Sequence, residues 1–240
     1  MLCGIDEAGR GPLAGPVCAA AVVLPEDFPV DILNDSKKLN EKQREQARLI
    51  ITDKAIAWAV AWATHIEIDE INILQASLLA MQRAVQYILK NEELEIRNEK
   101  WEDYCLLADH DGDKQSFHTR SLIPKSSCGY SRTLTPNYLM LPFGKPLNTL
   151  PKNLNAIVDG LHVPTIPIPC TAMVKADAKV PQVMAASILA KTARDQLMVH
   201  YSKIYPDYGY ERHKGYPTVL HKQLIRQFGP SPIARKSFKI

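Results

Sequence analysis

Ile5-Asp6-Glu7-Ala8-Gly9-Arg10-Gly11 places two adjacent carboxylates at the end of a short apolar run and follows them with a Gly-Arg-Gly turn. Leu2 to Asp6 reads as a β-strand that stops at the acids. Neighbouring residues on a strand face opposite sides of a sheet, so Asp6 and Glu7 serve one site only if the strand ends there. Two prolines and three glycines between Gly9 and Pro16 exclude a helix directly afterwards. The acids offer the hard oxygens that a divalent cation takes. The turn lets backbone approach a ligand closely. A fold does not need that combination; a site that handles metal and phosphate does.

Working outward, Val17 to Leu24 is a β-branched and small-residue run stopped by Pro25, a second and buried strand. Asn34-Asp35-Ser36-Lys37-Lys38-Leu39 is a polar loop, and Asn40 caps a helix from about 41 to 51. Residues 55–64 read as a third strand carrying Trp58 and Trp62. Ile68, Ile71, Leu74, Leu78, Met81, Val85 and Ile88 then recur at steps of three or four, one continuous helical stripe. From about 95 to 151 no period is sustained, and this stretch reads as an atypical insertion. Leu154 to Val158 is a strand ending in Asp159-Gly160, and Cys170 to Val174 is another. Pro181 opens a helix running to about 201, and 219–228 is a last helix. Three early strands and two later ones, flanked by helices, predict an α/β fold with a mixed sheet and helices on both faces, in one domain over 1–240.

The chain has 240 residues, 46% hydrophobic and 23% charged, which is enough to bury a real core. The formal net charge of +3 is unevenly spread. Lys203, Arg212, Lys214, Lys222, Arg226, Arg235, Lys236 and Lys239 face only Asp207 and Glu211 in the last forty residues. Such a basic C-terminal face suits a polyanionic partner. Five irregularly spaced cysteines predict free thiols in a reducing compartment. Asp6 and Glu7 come too early for a signal peptide, and the longest apolar run, 55–63, is too short to span a bilayer. The expected setting is cytoplasmic, without a membrane partner.

Asp159 and Asp177 also stand at strand ends or just beyond. Any one such acid is more often a turn residue or cap than a ligand. Together with Asp6 and Glu7 they would suit Mg²⁺ or Mn²⁺. Without metal they would repel and at least one pKa should rise. Two cations roughly 4 Å apart would activate water and stabilise the leaving oxygen of a phosphodiester cleavage. A dinucleotide-binding reading of Gly9–Gly15 fails, because the third glycine is one place late and no helix follows. Within the insertion, Asp109, Asp111 and Asp113 alternate like a calcium loop, but Gly112 is misplaced and Arg120 stands where a closing glutamate belongs. Cys105, His110, His118 and Cys128 lack zinc-site spacing.

The sequence resembles ribonuclease HII, the type 2 ribonuclease H family. The resemblance is carried by Asp6-Glu7-Ala8-Gly9-Arg10-Gly11-Pro12-Leu13-Ala14-Gly15-Pro16-Val17, Asn34-Asp35-Ser36-Lys37-Lys38-Leu39 and Ile68-Asp69-Glu70-Ile71-Asn72-Ile73. It continues through Val158-Asp159-Gly160, Lys175-Ala176-Asp177-Ala178, Ala185 to Lys191, His213-Lys214-Gly215-Tyr216-Pro217-Thr218 and Phe228 to Ile233. The blocks fall in family order and cover nearly everything outside 95–151. The resemblance implies a ribonuclease H-like fold, a five-stranded mixed sheet flanked by helices, with a helical C-terminal segment. It implies a metal-dependent endonuclease that hydrolyses the RNA strand of RNA–DNA hybrids. The same enzyme would cut 5′ to ribonucleotides embedded in duplex DNA, leaving 3′-hydroxyl and 5′-phosphate ends by a two-metal mechanism.

By the same resemblance, Asp6, Glu7, Asp159 and Asp177 match the catalytic, metal-binding carboxylates, with Mn²⁺ or Mg²⁺ as cofactor. Gly9, Arg10 and Gly11 match the motif that contacts the ribose 2′-hydroxyl and its phosphate through backbone groups. Tyr216 matches the tyrosine packed on the sugar at the RNA–DNA junction. Lys37, Lys175 and Lys191 lie in matched blocks as substrate contacts, and Ser187 either faces the site or packs its helix. The partners implied are RNA–DNA hybrid and ribonucleotide-containing duplex, bound by a monomer. The alternative is a catalytically impaired hybrid-binding protein. The chain departs from the family pattern at Ala176, where glycine is usual, and a Cβ there is expected to tighten the turn that aims Asp177. Leu106 to Gly112 imitates a strand ending in an acid, but Asp159 has the family context.

Overall fold

The structure is a computed structural model, and it describes residues 1–33, 36, 39–89 and 142–239. β1 (Leu2–Ala8), β2 (Val17–Val23) and β3 (Ala57–Ala63) form an antiparallel core. α1 (Glu41–Lys54) precedes β3 and α2 (His65–Leu89) follows it. β4 (Phe143–Lys145) pairs antiparallel with β3. β5 (Asn155–Asp159) lies parallel to β1, and β6 (Cys170–Met173) lies parallel to β5. The sheet therefore has six strands in the order β4-β3-β2-β1-β5-β6. α3 (Pro181–Ile204), the short α4 (Tyr210–His213) and α5 (Val219–Phe228) complete the C-terminal part.

The mixed α/β architecture matches the sequence expectation, with one correction to its five strands. The sixth strand, β4, comes from Pro-Phe-Gly-Lys-Pro inside the stretch read as insertion. Three residues between prolines carry no period to read. Their place on β3 is set by tertiary contact instead: Trp58 meets Phe143 edge-on at 5.9 Å, and Lys145 Nζ donates to the Ala55 carbonyl at 2.8 Å.

Strand alternation sorts the core into two halves. On β3, Trp58, Val60 and Trp62 face α1 and α3, whereas Ala57, Ala59, Ala61 and Ala63 face α2. The alanine face admits α2 closely, and the tryptophans fill the wider side. β1 follows the same rule: Cys3 and Ile5 join the α2 half, leaving Gly4 and Asp6 toward α3. Gly4 is required by this contact, since a Cβ there would lie 2.1 Å from the Gln182 backbone carbon. The start of α3 thus rests directly on the strand that bears the acids.

α2 is also not the uninterrupted helix that its apolar stripe predicts. Asn72 has φ 67° and ψ 166°, so the helix is broken there. Its side chain accepts hydrogen bonds from the Leu74 and Gln75 N–H groups and caps the second segment. The stripe is interrupted with it: Ile71 just before the break is exposed, while Ile68 before it and Met81, Val85 and Ile88 after it are buried.

Cys3, Cys18 and Cys170 are free thiols, as expected; Cys105 and Cys128 lie outside the described residues. Among the described residues no helix is long and apolar enough to cross a membrane.

Candidate active site

β1 does not stop at the acids, so the strand end that would let Asp6 and Glu7 share one face is absent, and their interaction is through charge rather than a common face. The strand runs on to Ala8, with Asp6 opposite Ala20 and Glu7 opposite Ala19. The expected strand end lies instead on the neighbour, because β5 finishes at Asp159, one residue past the pairing of Ile5 with Val158. Asp6 and Asp159 therefore follow a shared register on adjacent parallel strands. Asp159 is held by the Ala176 N–H, which donates to its Oδ1 at 2.7 Å. That bond ties β5 to the single 3₁₀ turn Ala176–Ala178, where Asp177 is buried. The left-handed residue of this turn is Lys175, at φ 59°, and Ala176 is fully buried. Strain that a Cβ was expected to add at Ala176 falls on Lys175.

The acids repel as anticipated. Burial, and then the charge of Glu7, hold the Asp6 carboxyl well above the usual carboxylate range; Asp159 adds to the rise, and Ser187 and the Glu7 N–H oppose it. Burial also raises Glu7, against the Arg10 guanidinium, which donates to Glu7 Oε1 at 3.2 Å. Glu7 Oε2 is buried without a hydrogen-bond partner. An orphaned carboxylate oxygen beside a second carboxylate held toward its protonated form suits a hard divalent cation. Among the described residues no three His, Cys, Asp or Glu side chains are yet gathered so as to hold one. Asp6, Glu7 and Asp159 act on one another electrostatically, and the Ala176 N–H ties Asp159 to the turn that carries Asp177.

Ser187 faces the site. It meets the Ser36 hydroxyl at 2.8 Å as well as Asp6, linking the polar loop of 34–39 to the first acid. Ser187, Lys191, Arg194 and Met198 are spaced i, i+4, i+7 and i+11 along one stripe of α3, of which Arg194 and Met198 lie beneath Gly9 and Gly15. Lys191 is paired with Asp195 at 2.8 Å, and its Nζ sits 5.7 Å from the Tyr216 ring centre. Tyr216 in turn lies beside the turn, since a Cβ on Gly11 would come within 3.8 Å of its Cε1. Arg10 and Lys175 are exposed, and Lys37 lies outside the described residues.

Sequence reasoning missed two arginines. Arg194 donates to the carbonyls of Pro16, Ala14 and Lys214 at 3.1, 3.2 and 3.0 Å. Arg235 donates to those of Gly15, Arg10, Gly9 and Pro16 at 2.8, 3.0, 2.6 and 3.1 Å. Hydrogen bonds to charged groups stabilise by about 1.5–3 kcal/mol each, so the Gly-Arg-Gly turn is held firmly. Gly9 is obligatory here: its φ is +96°, and a Cβ would lie 2.0 Å from Arg194 Nε. Arg235, counted with the basic surface in the sequence, is only 3% exposed. Its neighbours in sequence, Lys236 and Ser237, are solvated or tied to Asp69, so local composition hides it.

The family model for Ribonuclease HII matches residues 3–102 and 145–240. Ribonuclease HII of Treponema denticola is 48% identical over 242 residues, covering 99% of this chain and 98% of that protein. Ribonuclease H2 from Pyrococcus horikoshii OT3 superposes with a TM-score of 0.57 at 24% identity, covering 99% of this chain and 93% of its own. Bst-RNase HIII in complex with Mn²⁺ superposes with a TM-score of 0.57 at 16% identity, covering 99% of this chain and 66% of its own. At those identities the two structures share the ribonuclease H-like fold with this chain.

Proposed function

The chain belongs to the ribonuclease HII family, an endoribonuclease that hydrolyses the RNA strand of RNA–DNA hybrids, and from that premise we propose that it also cuts 5′ to single ribonucleotides embedded in duplex DNA. The supporting observation is the placement of Tyr216 against Gly11, directly past the strand that carries Asp6 and Glu7. A sugar lying on that ring has its 2′-hydroxyl beside the turn backbone, and the 2′-hydroxyl is what separates RNA from DNA at one position.

Asp6, Glu7, Asp159 and Asp177 are the proposed ligands for Mg²⁺ or Mn²⁺, the latter being the ion in the related Bst-RNase HIII complex. Bound in pairs, such ions supply an activated water and charge neutralisation at the leaving oxygen. The protein's own part is positional. The backbone of Gly9, Arg10 and Gly11 holds the ribose and its phosphate, Tyr216 stacks the sugar, and Lys175 and Lys191 lie within reach of flanking phosphates. Lys37 is proposed for the same role from its motif alone. Hydrolysis in this geometry leaves 3′-hydroxyl and 5′-phosphate ends. The chain acts as one domain and as a monomer.

The test is cleavage of a duplex holding one ribonucleotide, with Mg²⁺ or Mn²⁺ and product ends mapped. Wild-type protein should cut once, 5′ to the ribonucleotide. Asp6→Asn and Asp159→Asn should each reduce the rate by at least 100-fold while leaving duplex binding measurable; undiminished cleavage by either would overturn the site assignment.

A further inference from the structure

We infer that Arg194 and Arg235 are positioning residues for ribose selection: two buried guanidiniums draw the carbonyls of residues 9–16 inward and thereby aim the N–H groups of Arg10 and Gly11 at the substrate. The inference rests on the role proposed above for the Gly-Arg-Gly turn and names what sets it.

The carbonyls of Gly9, Arg10, Ala14, Gly15 and Pro16 all point into the protein, onto one or other guanidinium. A peptide unit that turns its oxygen inward turns its N–H outward. Among the described residues no acceptor meets the N–H of Arg10 or Gly11. The other side of the loop is fixed by backbone: Leu13 N–H donates to Gly215, Gly15 N–H to Ile233, and the Arg235 N–H to Leu13. The outward donors thus sit on a loop pinned at both flanks, with positive charge behind it. That is the arrangement of backbone groups that receives phosphate and polar sugar oxygens.

Two like charges are buried together, and among the described residues no carboxylate is hydrogen-bonded to either guanidinium. Burying such charges is expensive, and the hydrogen bonds to the loop carbonyls, which apolar side chains would leave unpaired, offset that cost. Arg194 also connects the two halves of the sugar site, since its guanidinium carbon lies 5.8 Å from the Tyr216 ring centre while its Nε and Cδ back Gly9. One residue therefore sets both the turn and the ring.

Arg235→Lys and Arg194→Lys keep the charge and remove the planar fork that spans several carbonyls. Each variant is assayed for melting temperature and for kcat/KM on two substrates: duplex DNA with one ribonucleotide, and a fully RNA–DNA hybrid. A loosened reader still finds a productive register where every sugar carries a 2′-hydroxyl, but not where only one does. The expected result is a folded variant whose ratio of single-ribonucleotide to hybrid kcat/KM falls at least tenfold. Equal losses on both substrates, an unchanged ratio, or two variants that fail to fold would assign the arginines to the scaffold and overturn the inference. Wild-type protein that cuts the hybrid but ignores the single ribonucleotide would instead overturn the proposed function, and this inference with it.

Discussion

Tyr216 is 37% exposed while Lys191 and Arg194 approach its ring from α3. Cations over an aromatic face hold the ring in place and leave the opposite face for a ligand. The ring, rather than the hydroxyl, should then carry the function. Tyr216→Phe is expected to stay within about threefold of wild type in kcat/KM on a single-ribonucleotide duplex. Tyr216→Ala should lose about tenfold or more, which corresponds to about 1.4 kcal/mol of transition-state stabilisation. Steady-state kinetics on the two variants decide it, and equal losses would place the hydroxyl, not the stacking surface, at the sugar. Tyr216 was readable from its motif. The arginines behind it were not, because their partners are backbone carbonyls, all but that of Lys214 lying between 178 and 226 residues away in sequence.

At the scale of elements, the break in α2 carries its own test. Asn72 combines a cap, worth about 1 kcal/mol, with a positive-φ extended backbone that glycine adopts freely and other residues only under strain. Asn72→Ala loses the cap and keeps the strain, and should lower stability by about 1 kcal/mol in denaturant unfolding. Asn72→Gly removes the cap but accepts the backbone, and should lose about half as much. A larger loss for glycine than for alanine would show that the break is not set by Asn72.

The C-terminal helices add a pH dependence. His213 and His221 stack at 4.3 Å; His213 Nε2 meets the Tyr208 carbonyl, and its Nδ1 accepts from the Gly215 N–H. Burial lowers both pKa values, and for His213 the second ring lowers it further. A depressed histidine binds its proton more readily in the unfolded chain. The stability it contributes is complete above about pH 6.5 and is lost as pH falls through the folded values. Asp6 and Glu7, raised in the fold, titrate in the opposite sense. The histidine part is therefore read as a difference: from pH 7 to pH 5 the melting temperature of wild type should fall more steeply than that of His213→Asn. Parallel profiles would remove the histidines from the account. Elements with a sustained period, α2 and α3 among them, were legible in sequence to within a few residues. β4 was not, being three residues long, and neither was the Asn72 break, since apolar spacing is the same on both sides of it.

The whole molecule poses the question of residues 90–141, which lie outside the described residues between α2 and β4. The chain on either side is already joined without them. The Leu147 N–H donates to the Ile88 carbonyl at 3.0 Å, the Tyr87 hydroxyl reaches the Gly144 carbonyl at 3.5 Å, and β4 is paired with β3. The boundary expected at 151 is therefore late, because 143–145 belong to the sheet. Closing a shorter connection costs less chain entropy, by about 0.6 kcal/mol for each halving of its length. Replacing 90–141 with about eight Gly and Ser residues should then raise stability by about 1–2 kcal/mol, or leave it unchanged if the stretch packs on the rest. Activity should stay within about threefold on both the hybrid and the single-ribonucleotide duplex. If stability holds while activity on either substrate falls beyond tenfold, the stretch belongs to the substrate-binding surface and the single-domain reading must include it. If stability falls by several kcal/mol, it belongs to the core, and the contacts between β4 and α2 are insufficient to hold the sheet edge.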